Sequence, residues 1–408
     1  MATVSRRIIE LQEYGSVQLP DGALSDEAAV MLHRHYAAQI SLAPPSFLTN
    51  RCWQLTAQGY VGFIPVTPDL GISLKPKVPI ANLFRMLEVA YSLREFRVFE
   101  GLVGVASLTD FYEHLAIILS RRVLDRCRRG IYREYVPYAE TLPYMRGQLN
   151  LQPMLRAPWR VEIPCRYEEH TADIEENRIL AWTLHRILRS GLCQETRALP
   201  SVRRAYRAMQ QTVKLEPYGA RSCVNRLYNR LNSDYHPMHA LCYFFLDQSG
   251  PSHELGQDNM LPFLVDMPRL YERYVAEWLK RKLGDQFAVK AQERYAIDPG
   301  ANLHFDIDLV VEERASGQVR WVMDTKYKAP SGGPASDDVQ QVVAYAEAKG
   351  AREAILIYPK PLANPLNQRI GDVRVRTLTF SVEDELHEAS QRFIQGLVQA
   401  KAAVSGEV

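Results

Sequence analysis

Four charged side chains on two predicted strands have types and a spacing that could do chemistry. The segment VMDTKY places Asp324 two residues before Lys326, and HFDIDLVV places Asp306 and Asp308 one strand earlier. Because alternate residues of a strand share a face, each pair projects to one side of the sheet. Grouped carboxylates repel one another unless a cation lies between them, and Mg²⁺ requires clustered oxygen ligands. The pattern therefore predicts a divalent metal site with a lysine beside it.

A third carboxylate comes from the helix predicted at residues 267–283. Glu272 lies on the same helical stripe as Val275 and Leu279, whereas Glu277 falls on the charged side. This periodicity directs Glu272 toward the sheet and Glu277 toward water. A metal held by such carboxylates polarises a phosphate and lowers the pKa of a bound water. A neighbouring lysine stabilises the negative charge that develops. The chemistry indicated is phosphodiester hydrolysis.

The helix predicted to begin at Ser336 adds two weaker candidates. Its Gln341 and Tyr345 lie four residues apart on one face, from which they could contact a bound phosphate or Lys326. A structural role, in which both residues pack on the sheet, explains them equally well.

These residues belong to a predicted mixed sheet that is flanked by helices. The order helix, three strands, helix, two strands and helix is typical of such a sheet. Upstream, short β-rich segments separated by turns give way to helical periodicity, with a two-stranded interruption near YMRGQLNLQP. We therefore expect a multidomain α+β protein with a β-rich N-terminal module at 1–95, a mainly helical middle region at 96–260 and a C-terminal α/β domain at 261–408 that carries the candidate site.

Composition and motifs exclude several other classes of protein. The chain has 408 residues with a net charge of only +2, and its six cysteines form no C-x-x-C pair, so we expect reduced thiols rather than disulfides or a zinc ribbon. The sequence has no signal-peptide pattern and no apolar run long enough for a membrane span, which predicts a cytoplasmic protein without a membrane partner. No G-x-x-x-x-G-K-[ST] motif occurs, so the chain itself should bind no nucleotide through a P-loop.

A basic run, SRRVLDRCRRGIYREY, suggests contact with nucleic acid. Arginine clusters bind phosphates, yet a solvated helix face explains the run equally well. The DNA-contact candidates in this run are Arg121, Arg122, Arg128 and Arg129.

The motifs LYERYV, DIDLVV, DTKYK and DDVQQVVAY, in this order, resemble those of the PD-(D/E)xK nuclease superfamily. They resemble more closely the McrC family, the nuclease subunits of McrBC systems, which restrict DNA carrying 5-methylcytosine. LKPKVPIANLFRML, MRGQLNL and TADIEENRIL extend the resemblance over most of the chain. The resemblance implies that Glu272 is the helix glutamate, that Asp324 and Lys326 form the D-x-K pair, and that Gln341 and Tyr345 match a Q-x-x-x-Y motif.

The first aspartate departs from the family pattern, because Phe-Asp-Ile-Asp stands where Pro-Asp is usual. Asp308 is favoured, since the Leu-Val-Val-Glu-Glu that follows it fits the usual strand end. Asp306 is the alternative.

The resemblance also implies a cofactor and partners. The cofactor would be Mg²⁺, with Mn²⁺ as a substitute, and the substrate would be double-stranded DNA carrying a modified cytosine. The partner would be a McrB-like AAA+ GTPase hexamer, which the N-terminal module would dock on and stimulate. Two rival hypotheses are a free-standing repair or recombination nuclease, and a non-catalytic adapter that activates an AAA+ motor.

Overall fold

The computed structural model describes most of the chain and divides it into two compact units. The described residues are 7–67, 69–93, 107–156, 159, 161–194, 196–248, 253–255, 258–260, 262–298, 303–328 and 330–398. The first unit comprises 1–108, 250–258 and 262–408, and the second comprises 109–249 and 259–261. The N-terminal and C-terminal segments thus belong to one unit, while the expected three-way division near residues 95 and 260 stays a prediction.

The N-terminal part of the first unit is β-rich, as its turn-punctuated sequence suggests. It also contains a helix, α1, which begins where the Ser25 side chain accepts a hydrogen bond from the Ala28 amide at 3.2 Å. The elements are β1 (Arg7–Gln12), β2 (Ser16–Pro20), α1 (Asp26–Tyr36), β3 (Ile40–Ala43), β4 (Cys52–Ala57), β5 (Tyr60–Pro65), β6 (Leu70–Lys75) and α2 (Ile80–Ala90).

The second unit is mainly helical but carries a sheet of its own. Three antiparallel strands in the order β7-β9-β8 take the place of the expected two-stranded interruption. From the end of the first unit onward, the elements are α3 (Leu108–Arg129), β7 (Glu134–Leu142), β8 (Gln148–Leu149), α4 (Leu151–Arg156), β9 (Ile163–Thr171), α5 (Glu175–Arg189), α6 (Leu199–Gln210), a 3₁₀ turn (Ala220–Cys223) and α7 (Tyr235–Asp247).

The rest of the chain forms a six-stranded mixed sheet with helices on both faces. A short hairpin, β10 (His253–Leu255) and β11 (Asp258–Met260), precedes it. The elements that follow the hairpin along the chain are β12 (Phe263–Asp266), α8 (Met267–Leu283), β13 (Phe287–Asp298), β14 (Leu303–Glu313), β15 (Val319–Thr325), α9 (Ser336–Lys349), β16 (Glu353–Tyr358), β17 (Asn367–Ile370), β18 (Val373–Thr379) and α10 (Leu386–Val398).

The strand order in this sheet is β13-β14-β15-β16-β18-β17. The pairs β15/β16 and β16/β18 are parallel, and the other pairs are antiparallel. Every residue of β16, EAILIY, is buried, as expected for a central parallel strand that is covered on both faces. Alternate residues of β18 face different helices: Val375 packs in the core that includes α9, while Arg376 donates to the Gly396 carbonyl of α10. The expected mixed α/β architecture is confirmed.

The N-terminal part is fixed to the C-terminal part of the first unit by pairing and packing. β12 pairs antiparallel with β5, so the strand that leads into α8 belongs to the N-terminal sheet β1-β6-β5-β12. The buried Asn82 amide on α2 donates to the carbonyls of Val382 and Asp384, at 2.9 Å each. Arg281 of α8 donates to the Val89 carbonyl at 3.0 Å. Among the described helices, none is long and apolar enough to cross a bilayer.

Candidate active site

Three carboxylates from separate elements lie in one partly buried region of the first unit. Asp324, near the end of β15, is 3% exposed, Asp308 lies on the neighbouring β14, and Glu272 lies in the second turn of α8. Asp308 and Asp324 both act on Glu272 electrostatically, and Asp308 acts on Asp324. The structure thus brings together the three acidic residues that were predicted from strand and helix periodicity.

Burial raises the pKa of all three carboxylates, and the charge of Asp308 adds to this effect for Glu272 and Asp324. Burial and then the charge of Asp308 raise the pKa of Glu272 to about 7, although a hydrogen bond from Gln292 opposes this. The same two causes raise the pKa of Asp324 to about 6, against the opposing effect of Lys326. Burial raises the pKa of Asp308, although its Oδ2 accepts from the Thr325 amide at 2.9 Å and from the Thr325 hydroxyl at 3.0 Å. A site of this kind favours a bound cation.

Lys326 is held beside the carboxylates by three contacts. Its Nζ lies 2.9 Å from Oδ2 of Asp324 and 3.1 Å from Oδ1 of Asp338, and it donates to Oε1 of Gln341 at 3.1 Å. Burial disfavours the charge of the lysine, but its carboxylate partners raise its pKa above the ordinary value. Lys326 therefore stays protonated at neutral pH, so it serves as a cation and donor rather than as a base.

Helix α9 contributes a connected set of polar groups. Besides contacting Lys326, Gln341 donates through Nε2 to the Tyr345 hydroxyl at 2.7 Å, and the Tyr345 ring packs edge-on against Phe305 at 4.9 Å. Gln341 thus links Tyr345 to Lys326. Sequence reasoning missed Asp338, although it lies three residues before Gln341 and hence on the same helix face.

The two aspartates of β14 lie in different environments. Asp306 is exposed and pairs with Arg294 at 3.3 Å, whereas Asp308 is partly buried and interacts with Glu272 and Asp324. Ile307, which lies between them on the strand, belongs to an apolar core, and the two aspartates differ in exposure and partners although they are close neighbours in sequence. The structure associates Asp308, and not Asp306, with Glu272 and Asp324.

A metal-ion fit follows from the donor chemistry rather than from a preformed cage. Within the ranges that the structure describes, no three His, Cys, Asp or Glu side chains are arranged to hold an ion. Each carboxylate turns instead to a protein partner: Glu272 to Gln292, Asp308 to Thr325 and Asp324 to Lys326. Mg²⁺ is usually held by one or two carboxylates and keeps several waters. Asp308 and Asp324, which interact with each other, suit that requirement. Direct coordination by all three carboxylates does not fit the arrangement that the described residues show.

The pKa of Asp324 leads to a stability prediction for the metal-free protein. Its folded-state pKa of about 6 exceeds the ordinary value of 3.8. The stability that this group contributes is therefore present in full below pH 3.8 and is lost as the pH rises through 6. A difference of about two pH units corresponds to about 3 kcal/mol, and losing the Lys326 ion pair offsets part of it. We expect Asp324→Asn to raise the unfolding free energy by about 1–3 kcal/mol at about pH 8.

Urea denaturation in a metal chelator measures this difference. The gain should shrink as the pH falls through 6 and approach zero only below 3.8, where Asp324 becomes protonated in both states. Asp306→Asn, at an exposed position, should change stability by less than about 0.5 kcal/mol. Equal or lower stability of Asp324→Asn at the higher pH would contradict the electrostatic description of the site.

A large open depression in the first unit is separate from this site. It has a volume of about 1240 Å³ and lies where β14 ends and β15 begins, with Glu313, Arg314, Arg320 and Arg352 among its lining residues. Glu272, Asp308 and Asp324 do not line it. The chemistry is therefore assigned to the carboxylate cluster and not to this depression.

The arginines proposed to contact DNA lie on α3 in the second unit. Arg128 pairs with Asp125 at 3.0 Å, and Arg129 pairs with Asp234 at 3.5 Å, so protein carboxylates already partly neutralise these two charges. DNA contact by Arg121, Arg122, Arg128 and Arg129 stays a prediction.

The fold is mixed α/β, and its candidate site brings buried and partly buried carboxylates together beside a lysine. Comparison with known proteins identifies the family. The chain belongs to the family of McrBC 5-methylcytosine restriction system components, whose model matches residues 55–359. That range includes Glu272, Asp308, Asp324 and Lys326. The expected resemblance to McrC-type subunits is confirmed.

Two relatives and their coverage support this assignment. The chain is 23% identical over 273 residues to the type IV methyl-directed restriction enzyme EcoKMcrBC of Escherichia coli K12, covering 62% of this chain and 74% of the relative. It also matches a chain of the half-complex of Thermococcus gammatolerans McrB AAA+ hexamers with bound McrC. That match has a TM-score of 0.57 at 18% identity and covers 97% of this chain and 100% of the other. At this identity, the structural match shows a shared fold.

Proposed function

We propose that this chain is the nuclease subunit of a modification-dependent restriction system, with a PD-(D/E)xK active site that hydrolyses DNA phosphodiester bonds. The observation that carries the proposal is the convergence of Glu272, Asp308 and Asp324 beside the protonated Lys326. Membership of the McrBC family supports it. Mg²⁺, or Mn²⁺ in its place, is the proposed cofactor.

In this mechanism Asp308 and Asp324 would hold the metal ion, which polarises the scissile phosphate and activates water when bound. Glu272 is oriented by Gln292, and its pKa of about 7 lets it position the attacking water and accept a proton near neutral pH. Lys326 donates to the phosphate oxygens as negative charge develops. Asp338 and Gln341 hold the lysine in place.

The proposed partner is a McrB-like AAA+ GTPase hexamer that delivers double-stranded DNA carrying modified cytosine. A solved relative contains McrB AAA+ hexamers with bound McrC, and the present sequence has no P-loop motif with which to hydrolyse GTP itself. The N-terminal module at residues 1–95 is predicted to dock on this hexamer.

An exposed apolar surface on the second unit is another docking candidate. Around β7, β8 and β9, large apolar side chains face solvent, including Leu155 (82% exposed), Trp159 (78%) and Val161 (94%). Exposed apolar patches are typical of protein–protein interfaces. We assign this surface to the AAA+ partner, because tryptophans such as Trp159 are enriched among the residues that carry most of the binding energy at protein interfaces.

Replacing Leu155 and Trp159 together by serine should weaken partner binding by at least about 10-fold, since each lost apolar anchor costs more than about 1 kcal/mol. Stimulation of the partner's GTPase should fall in parallel. The measurement is GTP turnover by a McrB-like hexamer titrated with the variant. The matched control is Leu227→Ser, at another exposed apolar residue of the second unit (93% exposed), which should leave stimulation unchanged.

The same titration, with methylated and unmethylated DNA added, tests the whole proposal. We expect methylation-dependent cleavage only when the chain, the hexamer, GTP and Mg²⁺ are all present. Cleavage by the chain alone would favour a free-standing nuclease. Full stimulation of the GTPase without any cleavage would favour a non-catalytic adapter.

A further inference from the structure

We infer that Glu13, from the N-terminal part of the first unit, is a positioning residue for the active site. The inference rests on the proposed nuclease function. It assigns the N-terminal part a role inside the catalytic machinery, in addition to any role in docking.

Glu13 is a fully buried carboxylate that contacts the segment containing the catalytic lysine. It follows β1 directly and is 0% exposed. Its Oε2 accepts from the Tyr327 hydroxyl and from the Lys77 amide, at 3.3 Å each. Its Oε1 is buried without a hydrogen-bond partner among the residues that the structure describes. Burying a carboxylate without a full set of hydrogen bonds costs free energy. An apolar side chain would fill the same space at lower cost, so the carboxylate is better explained by its hydrogen bond with Tyr327.

Tyr327 connects Glu13 to two active-site residues. It directly follows Lys326, whose amide donates to the Ile357 carbonyl at 2.8 Å. The Tyr327 ring contacts the Tyr271 ring with centroids 5.8 Å apart, and Tyr271 directly precedes Glu272 on α8. One aromatic pair therefore joins the residues next to the catalytic lysine and the helix glutamate.

Both tyrosines of this pair are anchored through their hydroxyls. Tyr271 donates to the Phe380 carbonyl at 3.0 Å, whereas Tyr327 donates to Glu13. The first anchor lies within the C-terminal part and the second comes from the N-terminal part. Removing Glu13 would release one end of the pair while leaving the other fixed.

Tyr14 provides a second contact between the same two segments. It has a left-handed backbone with φ of 55°, and the Nζ of Lys328 lies 5.7 Å from the centre of its ring. Consecutive residues of the N-terminal part, Glu13 and Tyr14, therefore contact two residues of the DTKYK segment. This arrangement fixes the path of the chain just after Lys326.

The test uses Glu13→Gln and Tyr327→Phe in the assembled complex with its GTPase partner. We expect kcat for Mg²⁺-dependent cleavage to fall about 10–100-fold, as is typical when a group that orients a metal or catalytic residue is lost. KM for DNA should change by less than about 2-fold, because neither side chain contacts DNA in this scheme. Tyr327→Phe removes a single oxygen, so it keeps the test valid should Glu13→Gln fold poorly.

A second readout does not depend on cleavage. Amide hydrogen exchange of residues 324–328, measured without metal, should become about 10-fold faster in both variants, because the anchor of Tyr327 is lost. The matched control is Glu353→Gln, at a buried carboxylate of the same unit that pairs with Arg376 at 2.6 Å. It should lower the melting temperature but leave both kcat and the exchange of 324–328 unchanged.

The outcomes separate this inference from the proposed function. An active wild type, with both variants cutting at the wild-type rate and exchange unchanged, would overturn the inference alone. Equal losses of kcat in Glu13→Gln and Glu353→Gln, following their melting temperatures, would also overturn it, because they indicate a merely structural role. A wild-type complex that never cuts would refute the proposed function, and the exchange measurement would still decide whether Glu13 orders the segment.

Discussion

Replacing Lys326 by alanine is expected to reduce kcat for DNA cleavage by about 10²–10³-fold, the loss typical of removing one positioned donor to a developing negative charge. The side chain lies 2.9 Å from Asp324 and 3.1 Å from Asp338, so its removal also leaves two carboxylates without their cation. The measurement is single-turnover cleavage of methylated DNA by the assembled complex. Partner binding and GTPase stimulation should be unchanged.

Lys290→Ala is the matched control for this result. Lys290 is an ion-paired lysine of the same sheet, 2.6 Å from Glu312 on a neighbouring strand, and it lies outside the site. Its replacement should leave cleavage within about 2-fold of wild type, because exposed ion pairs contribute little. Full cleavage by Lys326→Ala, with the control also active, would refute the role given to the lysine.

Asp308→Asn is expected to lower cleavage by at least about 10³-fold, whereas Asp306→Asn should stay within about 3-fold of wild type. Loss of a metal-bound carboxylate removes several kcal/mol of transition-state stabilisation, and each 1.36 kcal/mol is a factor of about ten in rate. The two aspartates lie two residues apart on β14, but Asp306 is exposed, whereas Asp308 is partly buried and interacts with Glu272 and Asp324.

The paired variants decide between the two aspartates left open by the sequence. Calorimetric titration with Mn²⁺ should show at least about 10-fold weaker binding for Asp308→Asn and unchanged binding for Asp306→Asn. The reverse pattern, with Asp306→Asn inactive and Asp308→Asn active, would place the ligand on the exposed side of the strand. Asp324→Ala is expected to behave like Asp308→Asn.

The elements that position the site were predictable because local patterns are strong there. The helices α8 and α9 and the strand β16 span the residues predicted for them. Their apolar periodicity or continuous apolar run leaves little ambiguity. The strand β17, NQRI, is exposed throughout, so it carries no apolar signal. The helix α1 was missed among β-rich segments, and no strand was predicted at β12, directly before α8.

The connections within the site were less predictable, because they join residues that are distant in sequence. Strict alternation gave Asp306 and Asp308 equal claims, but Asp306 is exposed and pairs with Arg294, whereas Asp308 interacts with Glu272 and Asp324. Gln292 has a φ of 51° and holds Glu272. The contact between Glu13 and Tyr327 spans 314 positions. Periodicity reports only which face a residue occupies, so such contacts leave no local signature.

The most direct test of the central claim is anomalous X-ray diffraction from crystals grown with Mn²⁺. The proposed site predicts one strong peak about 2.1 Å from oxygens of both Asp308 and Asp324, with Glu272 bound to the ion through a water. Lys326 should lie beside the ion without coordinating it. A fully bound Mn²⁺ elsewhere, with these two aspartates still turned to Thr325 and Lys326, would contradict the account.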